Sequence, residues 1–193
     1  MGVGAHRRVI SYDAAVRAAI GLFIRTATVD MDELAQRLCV SRATLYRVVP
    51  GRDRLLGDVL WRQAEYLFVQ AAHGRDASDG EGADRILAVL RRFGVSILDA
   101  VPFRTFMAAE PETAIRVLFT SAGGVHERFV CLNRELIAQA VAAGTYTPPF
   151  DLDDLAYVFV RIFESMWYAD LLAGLEPDLD VAERVARAVL LAG

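Results

Sequence analysis

The sequence predicts an all-α chain, with a three-helix unit over residues 1–55 and a helical body over residues 56–193. Three observations predict it. Apolar residues recur at three-and-four spacing through segment after segment, and no run keeps the alternation of a half-buried strand. Residues that accept helix-start hydrogen bonds, Ser11, Asp30, Ser41 and Asp151, stand directly ahead of those runs. Helix breakers collect between the runs, at Pro50-Gly51, Pro102, Pro111, Gly123-Gly124 and Pro148-Pro149. A hydrophobic content of 54% is ample for a core, and 193 residues suit two helical units better than one bundle.

Each element follows in order. Ser11 caps a first helix to residue 27, burying Ala15, Ala18, Ala19, Leu22 and Phe23. Asp30 caps the second, and Glu33, three residues on, is placed to close a capping box. Leu34, Ala35 and Leu38 share its inner face, and Cys39-Val40 makes the turn. Ser41 caps a short third helix to Val48, with Ala43, Leu45 and Val48 inward and Arg42, Thr44, Tyr46 and Arg47 outward. A long helix of roughly 30 Å runs from Arg52 to about Ala72, carrying Leu55, Leu56, Val59, Leu60, Ala64, Leu67 and Phe68 on one side. A polar loop over 74–82 leads to a helix from Ala83 to about Ala100. Two short helices start at Pro102 and Pro111, where proline suits the first turn. A helix over 125–143 follows, then one from Asp151 to Ala173. Asp180 and Glu183 read as the capping box of a last helix, Val181 to Leu191.

The net charge of −4 conceals an asymmetry. Residues 1–60 hold nine arginines against six carboxylates, a net of +3, whereas residues 61–193 hold twelve against nineteen, a net of −7. That is a basic head on an acidic body. A short helix with arginines and hydroxyls near its start, braced by a preceding helix, fits a DNA major groove. Arg42 and Thr44 are placed for base edges, and Ser41, Tyr46, Arg47 and Arg52 for phosphates. His6-Arg7-Arg8 is either an arm over a neighbouring groove or a plain disordered terminus.

The same stretch resembles the TetR family of bacterial repressors. Leu34-Ala35, Val40-Ser41, Thr44-Leu45-Tyr46 and Leu55-Leu56 match its head motif, with Arg52 where lysine is usual. Cys39 replaces a usual glycine, so a β-carbon must sit where positive φ is common. Val48-Val49 replaces an aromatic pair, and the joint 25–29 lacks its usual glycine. The resemblance covers about residues 10–60. It implies a two-fold homodimer on a pseudopalindromic operator, with the last two long helices forming a four-helix bundle. Val160, Trp167, Leu171, Val185 and Val189 would include the residues facing the second subunit. The segments VPFRTFMAAEP and ERFVCLNRELIAQAVAAG are similar to the subgroup that controls lactone degradation and quorum quenching, which implies a γ-lactone or acyl-homoserine lactone effector.

The body is rich in aromatics, among them Phe93, Phe103, Phe106, Phe129, Phe163 and Trp167, with Met107 and Asn133 beside them. Rings at helical spacing are usually core, but together these exceed what a thin bundle needs, and helix-lined ligand pockets look like this. The eight are the candidate effector residues. Ser96, Thr120, Arg128, Glu164 and Tyr168 are further polar candidates, a balance that suits a small, largely apolar effector.

Other chemistry finds little support. All 21 basic residues are arginine, which excludes a Walker A loop, a pyridoxal phosphate Schiff base and a protein kinase. His6, His73 and His126 lack metal-ligand spacing, Asp151, Asp153 and Asp154 read as first-turn carboxylates, and no cofactor is implied. Residues 155–173 are apolar enough to suggest a membrane span, but Arg161, Glu164 and Asp170 argue for burial on two sides instead. Cys39 and Cys131 stand far apart, the N-terminus has no signal-peptide run, and a reducing cytoplasm is the plain expectation. Two alternatives differ from an effector-released repressor. A constitutive regulator controlled by a protein partner needs a filled core, and a small helical enzyme acting on acyl compounds needs a nucleophile and base that are not recognisable here.

Overall fold

The computed structural model describes residues 10–74 and 79–192; His6, Arg7 and Arg8 lie outside the described residues. The described residues form eleven α-helices and no strand. The head begins with α1 (Tyr12–Thr26), where the Ser11 hydroxyl accepts from the Ala14 N–H, and α1 ends at Ala27 in the left-handed region. In α2 (Met31–Arg37) the Asp30 carboxylate accepts from the N–H groups of Asp32 and Glu33. The Glu33 carboxylate lies 3.6 Å from Arg25. Cys39 turns the chain at φ 54°, the conformation a missing glycine would have eased. Ser41 then caps α3 (Arg42–Tyr46) through the Thr44 N–H.

Leu22, Phe23, Leu34, Leu45, Val49, Leu55 and Leu56 form the head's core. Ala43, expected inward, is exposed, Val48 is only half-buried, and Val49 is the residue buried beside Leu45. The reason is local: α3 lasts five residues, and Val48 and Val49 both donate to the Leu45 carbonyl, which tightens the turn and shifts its phase. Leu55 and Leu56 belong to the first turn of α4 (Arg52–His73), so a boundary at residue 55 falls inside a continuous helix.

The body comprises α5 (Gly82–Leu98), α6 (Val101–Ala109), α7 (Pro111–Phe119), α8 (Val125–Ala142), α9 (Leu152–Trp167), α10 (Ala169–Ala173) and α11 (Leu179–Leu190). It packs α9 against α8 and α11, and α4 against α5. Two readings change. The helix expected to reach Ala173 breaks at Tyr168, and the break leaves both Trp167 and Tyr168 buried. The last helix is capped by Asp178, whose carboxylate accepts from the Val181 N–H, while Asp180 and Glu183 hold Arg91 of α5. No helix among the described residues is long and apolar enough to cross a membrane.

Close contacts tie α4 to its surroundings. Gly57 meets the backbone of Gly123 so closely that a β-carbon at residue 57 would overlap it. Beside them Arg128 donates to Asp58 at 2.8 Å and to the carbonyls of Gly123 and Gly124, and its guanidinium covers Trp61, 5.2 Å from the ring centroid. The Tyr12 hydroxyl donates to the other Asp58 oxygen, so α1, α4 and α8 meet at one carboxylate.

Candidate DNA-reading head and effector cavity

On α3, Arg42, Ala43, Tyr46 and Arg47 are exposed and Thr44 is half-buried. Arg42 donates twice to Asp32 of α2, at 2.8 and 2.7 Å, and lies over the Tyr46 ring, 5.4 Å from its centroid. The Ser41 and Thr44 hydroxyls are 2.9 Å apart. Arg47 has no ion-pair partner among the described residues.

Arg52, expected on a phosphate, is engaged within the protomer. Its Nε donates to the Val29 carbonyl at 2.9 Å, and its two terminal nitrogens take both oxygens of Glu110 at 2.8 and 2.7 Å. One of them also donates to the Thr28 hydroxyl at 2.8 Å, and that hydroxyl donates in turn to Glu110. A fork engaged on every nitrogen is a clamp between head and body. Glu110, between α6 and α7, has its pKa lowered, first by the Arg52 hydrogen bonds.

Four of the eight candidate effector residues, Phe93, Phe103, Phe129 and Trp167, line one cavity of about 70 Å³. The other four do not line it. Phe106 is fully buried edge-on against Phe23 of α1, 5.7 Å between centroids. Met107 is buried in the shared core. Phe163 packs against Phe159 and Trp167. Asn133 is fully buried, donates to the Phe129 carbonyl at 2.9 Å, and leaves its own carbonyl oxygen without a partner. Which side of an apolar helix faces a void depends on how its neighbours are rotated, and periodicity alone does not carry that.

Sequence reasoning missed the wall supplied by α4: Leu60, Trp61, Ala64 and Leu67. Their spacing was visible but fitted a packed spine equally well. It also missed His126, whose Nδ1 lies 3.0 Å from both carboxylate oxygens of Glu164 and donates to them, since a carboxylate only accepts. Arg161 adds a bond at 3.0 Å. Glu164 is 5% exposed and lines the cavity, as does Tyr168. Burial, then the Glu164 charge, raises the Tyr168 pKa, so its hydroxyl stays a donor. Gly94 leaves room for the Trp167 indole, whose N–H lies 2.5 Å from where a β-carbon would stand.

Residues 81–191 match the family model described as Tetracyclin repressor-like, C-terminal domain. The chain belongs to the TetR family. The TetR-type transcriptional repressor QsdR of R. erythropolis has a solved structure that superposes with a TM-score of 0.84 at 29% identity, covering 94% of each chain. A TetR-family transcriptional regulator from Streptomyces coelicolor aligns over all of this chain and 82% of its own, with a TM-score of 0.51 and 21% identity, a likeness of fold. No curated protein matches the chain. The head and body are thus those of a TetR-family transcriptional regulator, and the all-α fold expected from periodicity is the family's own.

Proposed function

We propose that this protein is a homodimeric repressor released from a pseudopalindromic operator by a small, largely apolar effector, acting in the cytoplasm where the DNA is. The observation that carries the reading is the continuity of α4. Its first turn, with Leu55 and Leu56, belongs to the head's core, and two turns later Leu60, Trp61, Ala64 and Leu67 wall the cavity. A ligand that moves the cavity wall therefore moves the head. Arg42 and Thr44 would read base edges, with Ser41, Tyr46 and Arg47 on phosphates; Arg52 serves the clamp to Glu110 instead. Acyl compounds and γ-lactones are the effector classes that fit a mainly apolar wall.

The cavity also supports this reading over a regulator answering to a protein partner, for which a filled core was expected. The test is selection of binding sites from random duplex DNA, followed by operator titrations with and without saturating acyl amides, alcohols and lactones. Half-sites about 34 Å apart, or a multiple, are expected. Linkage requires that a ligand weakening DNA binding be weakened by DNA by the same factor. A protein that selects no sequence overturns the reading, and so does one whose operator affinity no compound lowers.

A further inference from the structure

The cavity is too small for a whole effector, and its walls are not uniformly apolar. Its volume, about 70 Å³, compares with the roughly 300–1,000 Å³ that drug-sized ligands occupy. The missing room lies next door. A groove of about 470 Å³ runs between α1, α4 and α5, past the exposed side chains of Ile24 and Tyr66. Gln63, Leu67 and Ala100 line both spaces and so are what stands between them, the neck that a tail would pass. Inside, Glu164 is the one charged residue of the wall among the described residues. Arg161 already balances its charge, so it calls for no cation. Its Oε1 receives only the His126 bond shared with Oε2, which leaves acceptor capacity. The Tyr168 hydroxyl, in the same wall, has no hydrogen-bond partner among the described residues.

We propose that the effector is an elongated amphiphile whose neutral head both donates to Glu164 and accepts from Tyr168, and whose alkyl tail passes the Gln63–Leu67 neck into the α1–α4–α5 groove. This rests on the effector-cavity reading above. An alcohol or a primary amide satisfies both groups. An ester or simple lactone satisfies only Tyr168 and leaves the Glu164 acceptor desolvated, which a buried polar site penalises. Within the acyl and lactone classes named above, a head that also carries an N–H or O–H therefore binds best. A tail in the groove also touches Ile20 and Ile24 of α1, so the ligand bridges body and head directly.

The chain's two tryptophans, Trp61 and Trp167, both line the cavity, so their emission reports occupancy without any operator. Decanamide, 1-decanol and methyl nonanoate are titrated against the full-length protein by tryptophan fluorescence and calorimetry. The amide and alcohol should bind about tenfold tighter than the ester, the size of one hydrogen bond. Glu164→Gln should narrow that preference, and the milder Tyr168→Phe should weaken amide and alcohol about fivefold or more. Lengthening the alcohol from eight to twelve carbons should add about three- to fourfold per methylene, a gain that Ile24→Asp should blunt. Equal binding of all three heads, unmoved by Tyr168→Phe, overturns the head assignment; affinity independent of chain length overturns the groove. If no probe of any head binds, the effector-cavity reading itself falls.

Discussion

At the scale of single residues, the two exposed arginines of the α3 region, Arg42 and Arg47, differ in how free they are. Arg42 is held by Asp32 and stacked on Tyr46, but both partners of that ion pair are more than half exposed. An exposed pair contributes about 0–1 kcal/mol, so a guanine edge can take Arg42 from Asp32 at little cost. Arg47 has no ion pair among the described residues to give up. Arg42→Ala should therefore relax the preference at one or two base pairs, costing about 1–3 kcal/mol on the best operator. Arg47→Ala should weaken all sequences alike and reduce the slope of log affinity against log salt by about one. Polarisation titrations on singly substituted operators at several salt concentrations would separate the two. If the variants lose the same amounts on every sequence and share one salt slope, the division of labour on α3 is wrong.

At the scale of elements, α6 is the strut that joins cavity to head. Pro102 and Phe103 line the cavity, Phe106 abuts Phe23 of α1, and Glu110 at its end grips Arg52 and Thr28. Glu110→Gln keeps the shape and weakens the grip. It should lower stability at pH 7 by on the order of 1 kcal/mol, allowing for a carboxylate one quarter exposed. The melting temperature should then fall by about 2–4 °C. Because the folded pKa of Glu110 is depressed, its contribution is complete above the unfolded value of about 4.3 and is lost as pH falls through the folded one. Wild type and variant should therefore melt apart at pH 7 and converge in acid. Melting curves that stay equally far apart at all pH values would deny the clamp its charge. Caps and turns were legible in the sequence because they are local: Ser11, Asp30, Ser41 and Asp151 accept the bonds their positions promised, and Cys39 bears the positive φ. The clamp was not, since Arg52 and Glu110 are 58 residues apart. Nor was the division of the body's rings between cavity and core, which is set by the rotation of each helix against its neighbours.

At the scale of the whole molecule, α9 and α11 each carry an apolar stripe that the protomer leaves at least partly uncovered. Val158, Ile162 and Met166 step by four along α9, and Val181, Val185 and Val189 step by four along α11. Each is exposed or only half-buried, although the two helices pack on each other. Val160 and Trp167, expected at a subunit interface, are 1% exposed within the protomer, so the outward register of α9 is two residues from Val160, at Val158 and Ile162. Uncovered stripes on two helices that pack together suit a face that a two-fold axis can pair with itself, giving the four-helix bundle that the family resemblance implies. A carboxylate introduced there would face its own copy across the axis, buried and without a partner, at a cost of several kcal/mol. Val158→Asp together with Val185→Asp should thus yield a folded monomer, with helical circular dichroism intact because neither residue serves the protomer's core. Sedimentation is the measurement. Operator affinity should collapse with the dimer, because one head on one half-site forgoes the second set of contacts that the linked pair gains through effective concentration. A double variant that still sediments as a dimer would move the interface away from these stripes, and a wild-type monomer would remove it.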